Sequence, residues 1–190
     1  MPRTRTFIGL DVGSHIRGRI TDLQSALAAC GADVKWVEPD NLHVTLLFLG
    51  ELDDRELLDV CRAVSSATRR EPPFPLRVSG VGAFPTPRRP KVIWAGITDG
   101  ADNLVRLHAA IETPLLDLGA YRREERAYTP HLTLGRVKGE HDSNLIAAEI
   151  PKRMSWDGGQ TMIDEILVFS SELRRDGPEY TVVARSTLSG

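Results

Sequence analysis

Two short stretches of this sequence share one pattern of polar and apolar residues, and this repetition limits the folds open to the chain. The first, NLHVTLLFLG, spans residues 41 to 50, and the second, PHLTLGRV, spans residues 130 to 137. Each is an apolar, strand-like run in which a threonine follows a histidine two positions later. The fold must therefore accommodate two similar strands that carry polar side chains, one near the middle of each half of the chain.

Side chains alternate between the two faces of a β-strand, so residues two apart share a face. His43 and Thr45 should share one face of the first strand, and His131 and Thr133 should share one face of the second. The leucines and valines between them point the other way. We expect the apolar face of each strand to pack in a core, and the polar face to present an imidazole beside a hydroxyl.

The remaining sequence mixes helical and strand-like periodicity. Strands are predicted at 5–12, 34–37, 42–49, 74–81, 91–97, 131–137, 161–173 and 180–188, and helices at 14–30, 53–68, 101–118 and 143–149. A loop over Phe84–Pro90 is predicted from its prolines. This order lacks the strict alternation of a parallel sheet, so the sequence predicts an α+β fold with two similar lobes that face each other across a groove.

Length, composition and charge limit the number of domains, the location and the binding partners that can be predicted. The chain has 190 residues, of which 41% are hydrophobic, and this is enough for one core, so residues 1–190 are predicted to form a single domain. Neither a signal peptide nor a membrane-spanning run is evident, which favours a cytoplasmic location. Cys30 and Cys61 lack CxxC spacing, and ordinary thiols are expected. The net charge of −2 excludes a globally basic nucleic-acid coat but allows a local basic cleft.

The paired motif favours acid–base chemistry. Two imidazoles across a groove can remove one proton and deliver another near neutral pH, because histidine titrates there. The threonine hydroxyls beside them can donate to an anionic oxygen, which suits a phosphodiester. A metal site normally needs three or four ligands, and no HExxH-type spacing occurs, so no metal and no cofactor are predicted.

Three segments, NLHVTLLFLGEL, GVGAFPTPRRPKVIWAGI and YTPHLTLGRV, resemble the bacterial and archaeal RNA 2′,3′-cyclic phosphodiesterases, also called 2′-5′ RNA ligases, of the two-histidine phosphoesterase superfamily. The resemblance implies a bilobal fold with antiparallel sheets lining a central cleft and helices packed outside. It also implies metal-independent hydrolysis of an RNA 2′,3′-cyclic phosphate to a 2′-phosphomonoester, by a protein that we expect to be monomeric.

The resemblance also implies roles for the motif residues. His43 would be the proton donor and His131 the proton acceptor, while Thr45 and Thr133 would bind the phosphate. Strict alternation places Arg136 on the face opposite His131, and it could assist phosphate binding only if Gly135 forms a bulge or ends the strand.

Other residues receive less specific predictions. Phe48 takes the place of Arg136 in the first motif and is predicted to lie in the core. Tyr128 is predicted to be a packing residue rather than a base-stacking one. The three histidines outside the motifs are treated as ordinary surface or helix residues: His15, His108 and His141.

Several alternatives stay open from sequence alone. The chain could be a module that binds a phosphorylated nucleotide or an RNA end without turnover. It could also be a cyclic phosphodiesterase of a small nucleotide, such as ADP-ribose cyclic phosphate. Hydrolysis and 2′-5′ ligation are the same chemistry in opposite directions, and neither the acid–base order of the histidines nor the role of the basic loop 85–91 follows from the residues.

Overall fold

The computed structural model describes residues 3–175 and 177–190. These residues form nine strands and four α-helices. The strands are β1 (Thr4–Leu10), β2 (Val34–Trp36), β3 (Val44–Leu52), β4 (Phe74–Thr86), β5 (Arg89–Ile97), β6 (His131–Val137), β7 (Asp157–Ile163), β8 (Glu165–Arg174) and β9 (Gly177–Thr187). The helices are α1 (Gly13–Ala28), α2 (Asp54–Thr68), α3 (Ala101–Asp117) and α4 (Glu140–Glu149), and short 3-10 turns lie at Pro39–Asn41 and Pro151–Arg153.

The strands form one antiparallel sheet in the order β7-β4-β5-β6-β3-β1-β8-β9, with β2 paired to β6 beside this path. The two motif strands, β3 and β6, are neighbours at the centre, and each continues into three further strands on its outer side. Because β3 and β6 share a single registered pair, Val44 with Leu132, the two halves of the sheet meet only at this point. The α+β fold with antiparallel strands is confirmed.

The two faces of the sheet have different environments. One face packs against the helices and forms the main core, which includes Ile8 of β1 and Val168 of β8. The other, here called the open face, carries a smaller cluster formed by Phe7, Leu167 and Phe169. Neighbouring residues of one strand thus belong to different clusters, as strand alternation requires.

A local signal fixes the start of α2. Asp53 accepts hydrogen bonds from the backbone N–H groups of Arg55 and Glu56, and the Glu56 carboxylate accepts one from the Asp53 N–H. This capping box starts α2 where the sequence predicts it. Within the described ranges, no helix combines the length and apolarity that a membrane crossing needs.

The predicted loop over Phe84–Pro90 is wrong, because β4 and β5 continue toward a tight turn at Pro87 and Arg88. Pro85 and Pro90 lie opposite each other in this hairpin. A proline has no backbone N–H group to donate to a neighbouring strand. Because the two prolines pair with each other, the missing donors affect only this one position, and the other hydrogen bonds between β4 and β5 remain.

The single strand predicted at 161–173 is also wrong. β7 ends at Ile163 and pairs with β4, whereas β8 begins at Glu165 and pairs with β1 in the other half of the sheet. The chain changes halves at Asp164, whose carbonyl accepts a hydrogen bond from the Leu188 N–H. An apolar run alone does not reveal that its two ends pair with distant partners.

Candidate active site

The two motif strands bring their histidines and threonines together at the centre of the sheet. Val44 and Leu132 lie directly opposite each other and are fully buried in the main core. Because the strands are antiparallel, this register sets His43 level with Thr133, and Thr45 level with His131. The four polar side chains thus form a two-by-two array on the open face, and all four are half-buried.

Both imidazole rings are oriented by the same local contact. Nδ1 of His43 donates to the carbonyl of Asn41 at 2.7 Å, and Nδ1 of His131 donates to the carbonyl of Thr129, also at 2.7 Å. A carbonyl oxygen can only accept, so each Nδ1 carries a proton and each neutral ring keeps its lone pair on Nε2. In the first motif, Nε2 of His43 lies 2.9 Å from the Thr45 hydroxyl, which donates to a neutral ring and accepts from a protonated one.

Aromatic side chains enclose both histidines. The ring of His43 lies 4.8 Å from Phe7 and 5.3 Å from Tyr180 between centroids, and the ring of Tyr180 is nearly perpendicular to it. The ring of His131 meets Phe84 edge to face at 5.0 Å. Burial lowers the pKa of both histidines and is the largest effect on each, because an apolar environment disfavours the charged imidazolium.

Nearby charges distinguish the two histidines. The carboxylate of Asp11 acts against burial and raises the pKa of His43, whereas the guanidinium of Arg136 lowers the pKa of His131 further. The charge of His131 also lowers the pKa of His43, so the two rings interact electrostatically. These two charges act in opposite directions: Asp11 favours the protonated ring of His43, and Arg136 favours the neutral ring of His131.

A β-bulge follows the first motif. Thr45 pairs with Gly9 and Leu47 pairs with Ile8, so Leu46 is an extra residue in β3. The bulge resets the alternation, and Phe48 emerges on the face of His43 with 59% of its surface exposed. The prediction that Phe48 lies in the core is therefore wrong.

The second motif has the equivalent bulge. Thr133 pairs with Trp94 and Gly135 pairs with Ile93, so Leu134 is the extra residue in β6. Leu134 and Gly135 are both buried, and Arg136 is exposed on the face of His131. The bulge lies at Leu134, immediately before Gly135, and it turns Arg136 to the face where a phosphate-binding role would require it.

A buried side chain supports the second bulge. Gln24 of α1 donates from Nε2 to the carbonyls of Leu134 and Val37, at 3.0 and 2.9 Å. The Leu134 carbonyl also accepts from the Val37 N–H at 2.9 Å, so Gln24 supplies a second donor to the extra residue of the bulge. Gln24 itself is buried, as such a role requires.

A tyrosine supports the first motif. Tyr128 donates from its hydroxyl to the carbonyl of Thr45 at 3.0 Å. Its ring stacks on His108 at 4.4 Å between centroids, with 11° between the planes. The packing interpretation of Tyr128 is confirmed, and His108 lies on α3, where it packs against this ring. His15 and His141 are exposed on α1 and α4.

Sequence reasoning missed the aromatic side chains around the array: Phe7, Phe84, Trp94, Phe169 and Tyr180. They come from five different strands, and only the register of the sheet brings them together. Alternation along β1 would have separated Phe7 from Ile8, but no signal in the sequence identifies the neighbours of Phe7. Among the residues that the structure describes, no three histidine, cysteine or acidic side chains are grouped in a way that could hold a metal ion.

Comparison with known proteins adds an independent line of evidence. The family model described as LigT like phosphoesterase matches residues 10–94 and 96–180, and each segment contains one histidine–threonine motif. A protein of Methanothermobacter thermautotrophicus, named RNA 2′,3′-cyclic phosphodiesterase, is 33% identical over 179 residues, which cover 94% of this chain and 96% of that protein. A protein of the same name from Archaeoglobus fulgidus is 35% identical over 93% of this chain and 96% of its own length.

Solved structures agree with the fold. The crystal structure of TT0787 of Thermus thermophilus superposes with a TM-score of 0.82 at 28% identity, and the match covers 98% of both chains. The apo structure of Escherichia coli LigT superposes with the same TM-score at 25% identity over the whole of both chains. The similarity therefore extends over the complete sheet and its helices.

Proposed function

The chain belongs to the LigT-like phosphoesterase family, and we propose on this premise that it hydrolyses RNA-type 2′,3′-cyclic phosphate to a 2′-phosphomonoester. The observation that carries the proposal is the array of His43, Thr45, His131 and Thr133 at the junction of β3 and β6. Relatives named RNA 2′,3′-cyclic phosphodiesterase, at up to 35% identity over nearly their whole length, support the substrate class.

The proposed reaction is a displacement at phosphorus. Nε2 of His131 accepts a proton from water, and the hydroxide oxygen bonds to phosphorus on the side opposite the 3′ oxygen. The bond between phosphorus and the 3′ oxygen breaks, and His43 delivers its Nε2 proton to that oxygen. The products are a 2′-phosphomonoester and a free 3′ hydroxyl, and the step balances because His131 gains one proton while His43 loses one.

The neighbouring charges support this assignment of roles. Asp11 favours the protonated form of His43, as a general acid needs, and Arg136 favours the neutral form of His131, as a general base needs. Both rings present Nε2 to the reaction because each Nδ1 is bound to a carbonyl. Bound anionic substrate would raise the pKa of both histidines and so assist the acid.

The phosphate oxygens would be bound by the remaining polar groups of the open face. The hydroxyls of Thr45 and Thr133 supply donors level with the opposite histidines, and Arg136 supplies a cation beside His131. Such fixed donors stabilise charge that develops on the non-bridging oxygens. An RNA 5′ hydroxyl in the place of water would form a 2′-5′ linkage by the same displacement, with the 3′ oxygen again as the leaving group.

Phosphorus NMR of an oligonucleotide with a 2′,3′-cyclic end tests the proposal. We expect the cyclic phosphate signal to be replaced by that of a 2′-phosphomonoester, and turnover to continue with a chelator present. His43→Ala and His131→Ala should each lower kcat/KM by about 10²- to 10⁴-fold, the usual contribution of a general acid or base.

Several outcomes would contradict the proposal. A 3′-phosphomonoester product would reverse the regiochemistry. Tight binding of the oligonucleotide without any product over hours would favour a binding module instead. His15→Ala is the matched control, because His15 is exposed on α1 and outside both motifs, and it should retain full activity.

A further inference from the structure

The open face carries basic side chains beyond the array. Lys35 of β2 lies directly opposite Arg136 of β6 in the antiparallel register, so the two side chains share the open face. Val34 and Trp36 point the other way, since a Cβ at the buried Gly135 would touch both of them. Cβ atoms of directly opposed residues are about 4.5–5.5 Å apart.

Arg89 extends this basic surface along β5. Val92 lies opposite Arg136 on the other edge of β6. Toward the hairpin turn, Val92 pairs with Phe84 whereas Pro90 pairs with Pro85, so Lys91 is an extra residue that resets the alternation. Pro90 is consequently buried and Arg89 is exposed on the open face, three residues or about 10 Å from Val92.

Lys35, Arg136 and Arg89 thus form a stripe, here called the basic stripe, that begins beside His131. Within the described ranges, none of the three lies within salt-bridge distance of a carboxylate. Asp33, two residues before Lys35, binds Lys138 at 3.0 Å.

The pairing of Lys35 with Arg136 is unfavourable by itself. Like charges placed directly opposite each other destabilise a sheet, and no acidic side chain offsets this cost. Arg174, in the other half of the sheet, shows the usual solution, since Glu172 and Glu179 neutralise it. An unfavourable pair of this kind is expected where a protein binds a ligand. Because Lys35 and Arg136 are both positively charged, the ligand that would offset their repulsion is an anion.

We propose that Lys35 and Arg89, on either side of Arg136, bind the backbone phosphates of the RNA nucleotides that precede the cyclic end. The preferred substrate is then an RNA strand rather than a cyclic mononucleotide. This inference rests on the proposed function, because it places the cyclic phosphate at the array. A single strand that leaves the array past Arg136 meets the stripe, and each phosphate that it neutralises releases counterions.

A comparison of three substrates distinguishes the contribution of the basic stripe to kcat/KM from that of the histidine–threonine array. They are a 2′,3′-cyclic mononucleotide, a trinucleotide with a 2′,3′-cyclic end, and the same trinucleotide with neutral methylphosphonate internal linkages. We expect kcat/KM of the charged trinucleotide to exceed that of the other two by about tenfold or more at about 50 mM salt. Raising the salt to about 200 mM should reduce this advantage.

The decisive variant is Lys35→Gln with Arg89→Gln, which removes two charges from exposed positions. Its preference for the charged trinucleotide should fall about tenfold, and the slope of log kcat/KM against log salt should decrease by about 1.4, at about 0.7 per phosphate contact. The control, Arg69→Gln with Arg70→Gln, removes two exposed charges at the end of α2, and it should keep both the preference and the slope.

The outcomes distinguish the two proposals. If the wild-type protein turns over none of the three substrates, the proposed function fails. If it turns over all three with equal kcat/KM, or if the double variant loses the same factor on each of them, the hydrolase stands and the basic stripe is not an RNA site. Neither variant should have a lower melting temperature than the wild type, which excludes a loss caused by unfolding.

Discussion

At the scale of single residues, small contacts distinguish two nearly equivalent motifs. Each histidine donates Nδ1 to the carbonyl two residues before it, so the local geometry of the two is the same. Asp11 is close to His43 and Arg136 is close to His131, and these opposite charges break the equivalence. The sequence predicts the pair of histidines but not their order of action, because Asp11 lies far from His43 along the chain.

Asp11→Asn tests this electrostatic assignment. Removal of the carboxylate charge should lower the pKa of His43, so the general acid loses its proton at lower pH. We expect kcat/KM near pH 7 to fall by about threefold and the optimum of the pH–rate profile to move toward lower pH. Asparagine can still accept the hydrogen bond that Asp11 receives from the Gly13 N–H, so the start of α1 is retained.

The pH–rate profile of Asp11→Glu is the control, because it keeps the charge and should keep the optimum. An optimum that stays in place in Asp11→Asn, or that moves toward higher pH, would contradict the assignment of His43 as the acid.

Tyr128→Phe tests the support of the first motif. The change removes only the hydroxyl that donates to the carbonyl of Thr45, while the ring can still stack on His108. Loss of a buried hydrogen bond costs about 1 kcal/mol of unfolding free energy, and we expect kcat to fall by about tenfold as Thr45 loses its position. Tyr121→Phe is a matched control, because the Tyr121 hydroxyl contacts the backbone of Glu124 and not the motif.

Thermal unfolding measures the change in unfolding free energy, and steady-state kinetics measure the change in kcat. Equal effects of Tyr128→Phe and Tyr121→Phe on kcat would show that the contact with Thr45 has no part in positioning.

At the scale of elements, two β-bulges decide which side chains reach the site. In both motifs an extra leucine follows the threonine, and the residue three positions after that threonine returns to the open face. One position holds Phe48 and the other Arg136. Alternation predicts the faces of the histidines and threonines correctly, but it fails beyond the bulge, since a bulge depends on the partner strand and leaves only a weak trace in the sequence.

The β4–β5 hairpin illustrates the same limit. Its prolines indicate a loop when each is considered alone, and only the register shows that Pro85 and Pro90 share a rung. Helix ends are better predicted, because the capping box at Asp53 and Glu56 is a local signal.

Gln24→Leu tests whether α1 holds the second bulge in place. Leucine has a similar size but cannot donate to the carbonyls of Leu134 and Val37. We expect a loss of about 1–3 kcal/mol in the free energy of unfolding, because two buried carbonyls each lose a hydrogen bond, although the Leu134 carbonyl keeps the one from the Val37 N–H. If the bulge relaxes, Arg136 turns from the face of His131, and KM should rise more than kcat falls.

Urea unfolding and steady-state kinetics measure these effects. Thr21→Val serves as the control on the same helix, because its hydroxyl bonds only to the Arg17 carbonyl within α1. A Gln24→Leu protein as stable as the Thr21→Val protein would show that the bulge does not need this donor.

At the scale of the whole molecule, the array of two histidines and two threonines exists because two distant parts of the chain become adjacent strands. The sequence predicts two similar units that face each other, and the sheet joins them directly at Val44 and Leu132. A strand order that alternates between early and late segments is set by the core on the helical face, not by any local motif. Burial of the histidines among aromatic side chains is a further product of this assembly.

This burial makes the stability of the whole protein depend on pH. His43, His108 and His131 all have a lowered pKa in the folded state, mainly because burial disfavours the charged ring. In the unfolded chain a histidine has a pKa of about 6.5. At pH values between the lowered pKa of the folded state and the pKa of the unfolded chain, the unfolded chain binds more protons than the folded one. The free energy of unfolding therefore falls as the pH falls below about 6.5.

Urea denaturation between about pH 5 and about pH 7 measures the effect, with about 1.4 kcal/mol expected for each unit by which a histidine pKa is depressed. The variant His43→Gln with His131→Gln removes two of the three groups, and its stability should therefore vary less with pH across this window. His15→Gln with His141→Gln, at exposed positions, should keep the wild-type dependence. If the wild-type protein is equally stable at both ends of the window, the buried histidines are not held neutral by the fold, and the electrostatic basis for their roles at the array does not hold.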